Sequence, residues 1–274
     1  MKKREIDQII KGTQTMDGGG VNLKRLIAGS ELNMLDPFLL FDEFGSDNPK
    51  DYIAGFPPHP HRGFETITYM INGKFRHEDT AGNKGYLEDG SVQWMTAGKG
   101  VIHSEMPEQS NGLLKGFQLW LNLPKSKKYI EPAYQDIPSD KIPIVKIPDG
   151  HIKIIAGSFD NKKGPGKSHT KISYFDIALE PNSSICIPIK DNWNSFCYIY
   201  EGKIEIDKTL SKGHLGVLNT SGVFKCSSLS KRSRFILVSG ERLNEPVARG
   251  GPFVMNTKEE ILQAFQDYQS GILK

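Results

Sequence analysis

Glycine and proline interrupt this chain so often that long regular helices have little room: 28 glycines and 16 prolines are spread over 274 residues. Between them stand brief runs rich in β-branched and aromatic side chains, at 66–71 (TITYMI), 117–121 (FQLWL), 196–200 (FCYIY) and 235–238 (FILV). Such side chains suit a pleated, half-buried surface, and turn residues at short intervals argue for a sandwich or barrel. The expected fold class is therefore all-β. The clearest helical signal is C-terminal. Thr257 and Glu260 have the spacing of a capping box, and Ile261, Leu262 and Phe265 then recur at helical spacing, which predicts one short closing helix.

The β pattern is used twice. Tyr69-Met70-Ile71-Asn72-Gly73-Lys74 echoes Tyr198-Ile199-Tyr200-Glu201-Gly202-Lys203, and the entries Phe64-Glu65-Thr66 and Trp193-Asn194-Ser195 echo each other too. Two copies of one barrel is the simplest reading, with chance similarity of two hairpins as the alternative. Prolines 124, 132, 138, 143 and 148 mark a stretch suited to neither helix interiors nor central strands. The expected division is an N-terminal barrel over 1–130, a proline-rich linker over 131–148 and a C-terminal barrel over 149–274.

Composition removes several function classes. A net charge of +3 with scattered lysines gives no nucleic-acid footprint. The apolar part of MKKREIDQII is too short for a signal-peptide core, and no run is long enough to span a bilayer. Cys186, Cys197 and Cys226 are odd in number and lack C-x-x-C spacing, so they read as reduced thiols acting as small apolar strand residues in the cytoplasm. Gly166-Lys167-Ser168 lacks the earlier glycine of a phosphate loop, because Asn161 stands there, and Gly18-Gly19-Gly20 reads as a turn.

The chemistry concentrates in two short segments. In Phe56-Pro57-Pro58-His59-Pro60-His61, alternate residues of an extended segment project to one face, so two imidazoles aim at one point. Glu65 lies four residues further on and could share that face. His103 and Glu105 repeat the spacing of two in a second segment. Pairs on separate strands of one barrel can converge on a single ion. Imidazole and carboxylate donors suit a divalent metal with open positions, and the lack of thiolates argues against closed structural zinc. His77 reads as a hydrogen-bonding structural residue, and His151, His169 and His214 as surface residues. Phe56, Phe64, Trp94 and Met106 are candidate apolar pocket walls.

The stretches HPHRGFETITYM (59–70), HEDTAGN (77–83), QWMTAGKGVIHSEMP (93–107) and RGGPFVMNTKEEI (249–261) resemble the pirin family, and the likeness touches both halves of the chain. The resemblance implies two tandem cupin, jelly-roll-like β-barrels, with one metal in the first held by His59, His61, His103 and Glu105, and Glu65 nearby without ligating. Fe(II) is the expected ion, and Ni, Mn, Co, Cu or Zn also suit the site. The implied activity is quercetin 2,3-dioxygenase chemistry on a flavonol, with Glu105 as the base. The alternative is a regulator that binds a partner protein and uses the metal as a structural or redox switch. A monomer is expected. Matching Gly73 to Gly202 sets His59, His61 and Glu65 opposite Pro188, Lys190 and Asn194, so the second barrel is expected to lack metal ligands.

Overall fold

The computed structural model describes residues 2–273. The chain forms two compact units that are interleaved in sequence. One comprises Thr13–Ala28, Phe38–Ser139 and everything from Leu243 onward; the other takes the segment up to Gly12, Gly29–Pro37 and Asp140–Arg242. The structure thus differs from the consecutive division expected over 1–130, 131–148 and 149–274, and strand pairing is the reason.

In the first unit a seven-stranded antiparallel sheet runs in the order Ala133–Ile137, Val92–Thr96, Phe64–Asn72, Leu114–Asn122, Phe38–Ser46, Val21–Ile27, Thr13–Asp17. A four-stranded sheet accompanies it, in the order Phe56–His61, Val101–Pro107, Phe75–Asp79, Lys84–Leu87. The second unit repeats both. Its seven-stranded sheet runs Ile6–Ile10, Leu215–Leu218, Asn194–Glu201, Ser233–Gly240, Ile172–Leu179, Gly150–Ala156, Ile144–Ile147, and its smaller sheet Ser184–Pro188, Val223–Ser228, Lys203–Glu205, Thr209–Ser211. The echoed segments occupy the same place in each but are not hairpins: the chain passes from the larger sheet to the smaller at Gly73 and at Gly202, both with positive φ. That conformation is easy for glycine and strained for other residues.

The proline-bearing stretch is paired rather than free. Ala133–Ile137 is the edge strand of one large sheet and Ile144–Ile147 of the other. Prolines 132, 138, 143 and 148 flank these strands, where no ladder donor is missed. Ile6–Ile10 pairs with Leu215–Leu218 and covers the opposite edge of the second unit's sheet, which draws the N-terminal segment out of the first unit.

The predicted helix is Lys258–Gln269, and both halves of its Thr257–Glu260 capping box form. Ile261 and Ala264 are its buried face, and Leu262 is 62% exposed. The second unit's core includes Ile185 and Ile187 on one strand and Phe224 and Cys226 on its neighbour. Cys197 is buried as well, whereas Cys186 faces outward.

Candidate metal centre

The first unit sets polar side chains on the corresponding pair of strands. His103 is the direct cross-strand partner of His59, and Val101 of His61, so alternation and pairing bring three imidazoles together. Among the described residues, His59, His61 and His103 are grouped with one donor atom from each within 4.8 Å of the others. Phe56–His61 is an edge strand, which tolerates the three prolines at 57, 58 and 60. Its register slips between His103 and Glu105, a bulge of the kind that re-aims side chains beside functional sites.

The outer partners of the rings fix where the inner lone pairs point. His59 Nδ1 lies 2.8 Å from the Pro57 carbonyl oxygen, and His61 Nδ1 lies 3.4 Å from that of Pro252. A carbonyl oxygen only accepts, so both Nδ1 atoms carry the proton and both Nε2 atoms are bare. Those two Nε2 atoms face each other at 3.0 Å. Two bare lone pairs at that distance repel unless a cation or a shared proton lies with them. His103 Nδ1 lies 3.2 Å from His77 Nδ1, and the Nε2 of His103 is buried without a hydrogen-bond partner. If His103 is the donor in that contact, its Nε2 is bare too. This donor set fits a divalent ion. Burial pushes the pKa of His61 and His103 well below the ordinary histidine value, and the neighbouring histidines push in the same direction. Both rings are neutral at pH 7, as metal ligands require.

Glu105 stands outside the three-histidine group. It is buried and close to the centre, and its Oε1 lies 2.9 Å from Thr68 Oγ1. Thr68 Oγ1 is also 2.6 Å from the side-chain oxygen of Gln118. One hydroxyl proton serves one acceptor, and donation to the carboxylate is the stronger bond. Glu65 is fully buried and accepts from Thr96 at 2.9 Å. His77 is 1% exposed and packs with its ring tilted against Tyr134, centroids 4.6 Å apart, behind His103 rather than among the grouped rings. Burial lowers its pKa as well.

The turn after His61 is clamped from behind. The buried Lys128 ammonium donates to the carbonyls of Gly63 and Val254 and to Asn122 Oδ1, at 2.8, 2.9 and 2.8 Å. Arg62 donates to Lys99 O and forms a 2.7 Å ion pair with Asp267 of the closing helix. Gly63 has φ +88°, and a Cβ there would overlap the Val254 carbonyl, so only glycine fits this turn.

His59, His61 and Glu105 line a cavity of about 620 Å³. Of the four expected wall residues, Phe56 lines it. Phe64 instead packs behind His61 and Trp120, at centroid distances of 5.1 and 4.4 Å, while Trp94 is core and Met106 lies outside the lining. Trp120, Phe44 and Phe75 take those places, together with Thr68, Gln118, Asp42 and Arg25, none of which sequence reasoning singled out.

Comparison with known proteins settles the ancestry. The pirin family model matches residues 20–121, and the pirin C-terminal cupin domain matches 174–274. A pirin-like protein of Caulobacter vibrioides is 43% identical over 281 residues, covering 99% of each chain. The chain belongs to the pirin family. The quercetin 2,3-dioxygenase of Acinetobacter baumannii superposes with a TM-score of 0.92 at 29% identity, over 99% of both chains. A bacterial pirin of Escherichia coli, solved in complex with nickel(II), shares the fold with a TM-score of 0.70 at 19% identity, over 86% of this pirin and 98% of that one. Both observed barrels are thus the expected cupins. No helix among the described residues is long and apolar enough to cross a membrane.

Proposed function

We propose that this pirin is a metal-dependent dioxygenase that cleaves a flavonol such as quercetin with dioxygen, acting as a cytoplasmic monomer. The observation that carries the proposal is the convergence of His59, His61 and His103, two of which, His59 and His61, line a cavity with aromatic walls. The structural likeness to the Acinetobacter baumannii quercetin 2,3-dioxygenase supports the choice of reaction. His59, His61, His103 and Glu105 would hold one divalent ion, with Fe(II) as the expected species. When bound, the ion supplies Lewis acidity toward the flavonol hydroxyl and a redox-active centre for dioxygen chemistry.

The protein's own residues do the rest. Phe44, Phe56, Phe75 and Trp120 exclude water and receive the flat ring system. Glu105 accepts the proton of the substrate hydroxyl as general base, and Thr68 orients its carboxylate. Pro57 O, Pro252 O and His77 hold the three imidazoles in the ligating orientation. Oxygen consumption by anaerobically purified, iron-loaded protein on adding quercetin tests this reading. Flavonol-dependent uptake supports it. One bound metal without uptake refutes it and favours the partner-binding regulator.

A further inference from the structure

The cavity floor carries an ordered row of which the metal chemistry uses only the first member, Thr68. Gln118 pairs with Thr68 on one side and with Asp42 on the other, and Asp42 pairs in turn with Arg25. Thr68, Gln118, Asp42 and Arg25 therefore stand abreast on four adjacent strands, and all four line the cavity. Three strand spacings put Thr68 and Arg25 about 14 Å apart along the sheet. The near end meets the metal centre, because Thr68 hydrogen-bonds Glu105. At the far end Arg25 Nε and Nη2 grip both carboxylate oxygens of Asp42, at 3.1 and 2.8 Å, and Nη2 also reaches Asp17 at 2.8 Å.

The flanking rows are largely apolar. On one side Leu23, Phe44, Gly116 and Met70 are matched across the same four strands. A side chain at Gly116 would collide with the Phe44 ring, so this glycine lets the ring lie there. On the other side Trp120 and Leu40 are paired. Thr68 and Asp42 are buried and Gln118 and Arg25 half-buried, and ligands lacking matching groups leave such polar groups unpaired.

We propose that the row Thr68–Gln118–Asp42–Arg25 is a specificity rail for an elongated, planar aromatic ligand, its chelating end at the histidine centre and its far-ring hydroxyls on Asp42 and Arg25. The inference rests on the flavonol reading and sharpens it: a fused-ring flavonol hydroxylated on its distal ring is the ligand class, and a single-ring phenol is too short to reach both ends. Asp42 accepts from one distal hydroxyl, and Arg25 donates to another.

Calorimetric titration of iron-loaded, full-length protein under anaerobic conditions tests the rail, using quercetin and 3-hydroxyflavone. The two share the 3-hydroxy-4-oxo chelating group, but the second lacks the distal-ring hydroxyls as well as those at positions 5 and 7, so the effect of substituting Asp42 and Arg25 isolates the distal contribution. Wild type is expected to bind quercetin about tenfold more tightly, the value of a hydrogen bond to a charged group. Asp42→Asn and, independently, Arg25→Gln should shrink that ratio to about one while leaving 3-hydroxyflavone affinity unchanged. Equal wild-type affinities, or a preference that survives both substitutions, would overturn the rail alone. Binding of neither flavonol would overturn the flavonol reading and the rail with it, and is a distinguishable result.

Discussion

Replacing Lys128 with methionine puts the clamp behind the metal strand to a quantitative test. The Lys128 side chain is 1% exposed, and its ammonium serves Gly63 O, Asn122 Oδ1 and Val254 O. Burial lowers its pKa from 10.5 to about 8. That difference amounts to about 3 kcal/mol against keeping the charge inside. Methionine has similar length and relieves this penalty, but it withdraws the donor from three buried acceptors. At about 2 kcal/mol each, the loss is about 6 kcal/mol. Net destabilisation of about 3 kcal/mol should remain. Gly63 follows His61 by two residues, so the substitution should also weaken metal binding about tenfold, as loss of support behind metal ligands typically does. Urea unfolding of the metal-free variant and competitive metal titration supply the two readouts. Stability within about 0.5 kcal/mol of wild type would refute the reasoning, because the donated bonds would then be worth no more than the desolvation they require.

His61→Ala should abolish metal retention and oxygen uptake while the far-ultraviolet circular dichroism stays that of a folded β-protein; retained metal would remove His61 from the centre. Glu105→Gln should keep most of the metal, lose turnover by about a hundredfold or more and leave flavonol binding in place, and full activity would dismiss its role as base. Burial lowers the pKa of His61, His77 and His103, so the unfolded chain takes up protons first as pH falls through about 6.5. Stability of the metal-free protein should therefore be full above that pH and fall below it. Denaturant midpoints at pH 7.5 and 5.5 should show a smaller loss in a His61→Gln, His103→Gln variant than in wild type, and an equal loss would contradict this.

The histidines of the centre were legible because strand alternation acts over two residues: His59 and His61, and His103 and Glu105, each share a face whatever lies far away. The capping box at Thr257 was legible for the same reason, being local. What escaped depends on register. Thr68, Gln118 and Asp42 are polar residues inside the largely apolar runs TITYMI, FQLWL and LLFDEF, and nothing local says that they stand abreast. The signal available was the violation itself, since a polar side chain buried in a strand must find a partner. The helical spacing of Ile261, Leu262 and Phe265 defines a stripe without saying how wide its buried part is, and only Ile261 of the three is buried. The interleaved units were out of reach for a further reason. Ile6–Ile10 carries no mark naming the sheet whose edge it covers, and the prolines read as a linker also border edge strands.

Metal stoichiometry tests the central claim most directly. Elemental analysis of anaerobically purified, iron-loaded protein should give one ion per chain for wild type and none above background for His103→Ala. Iron retained by that variant, or two ions per wild-type chain, would contradict a single centre built on His59, His61 and His103.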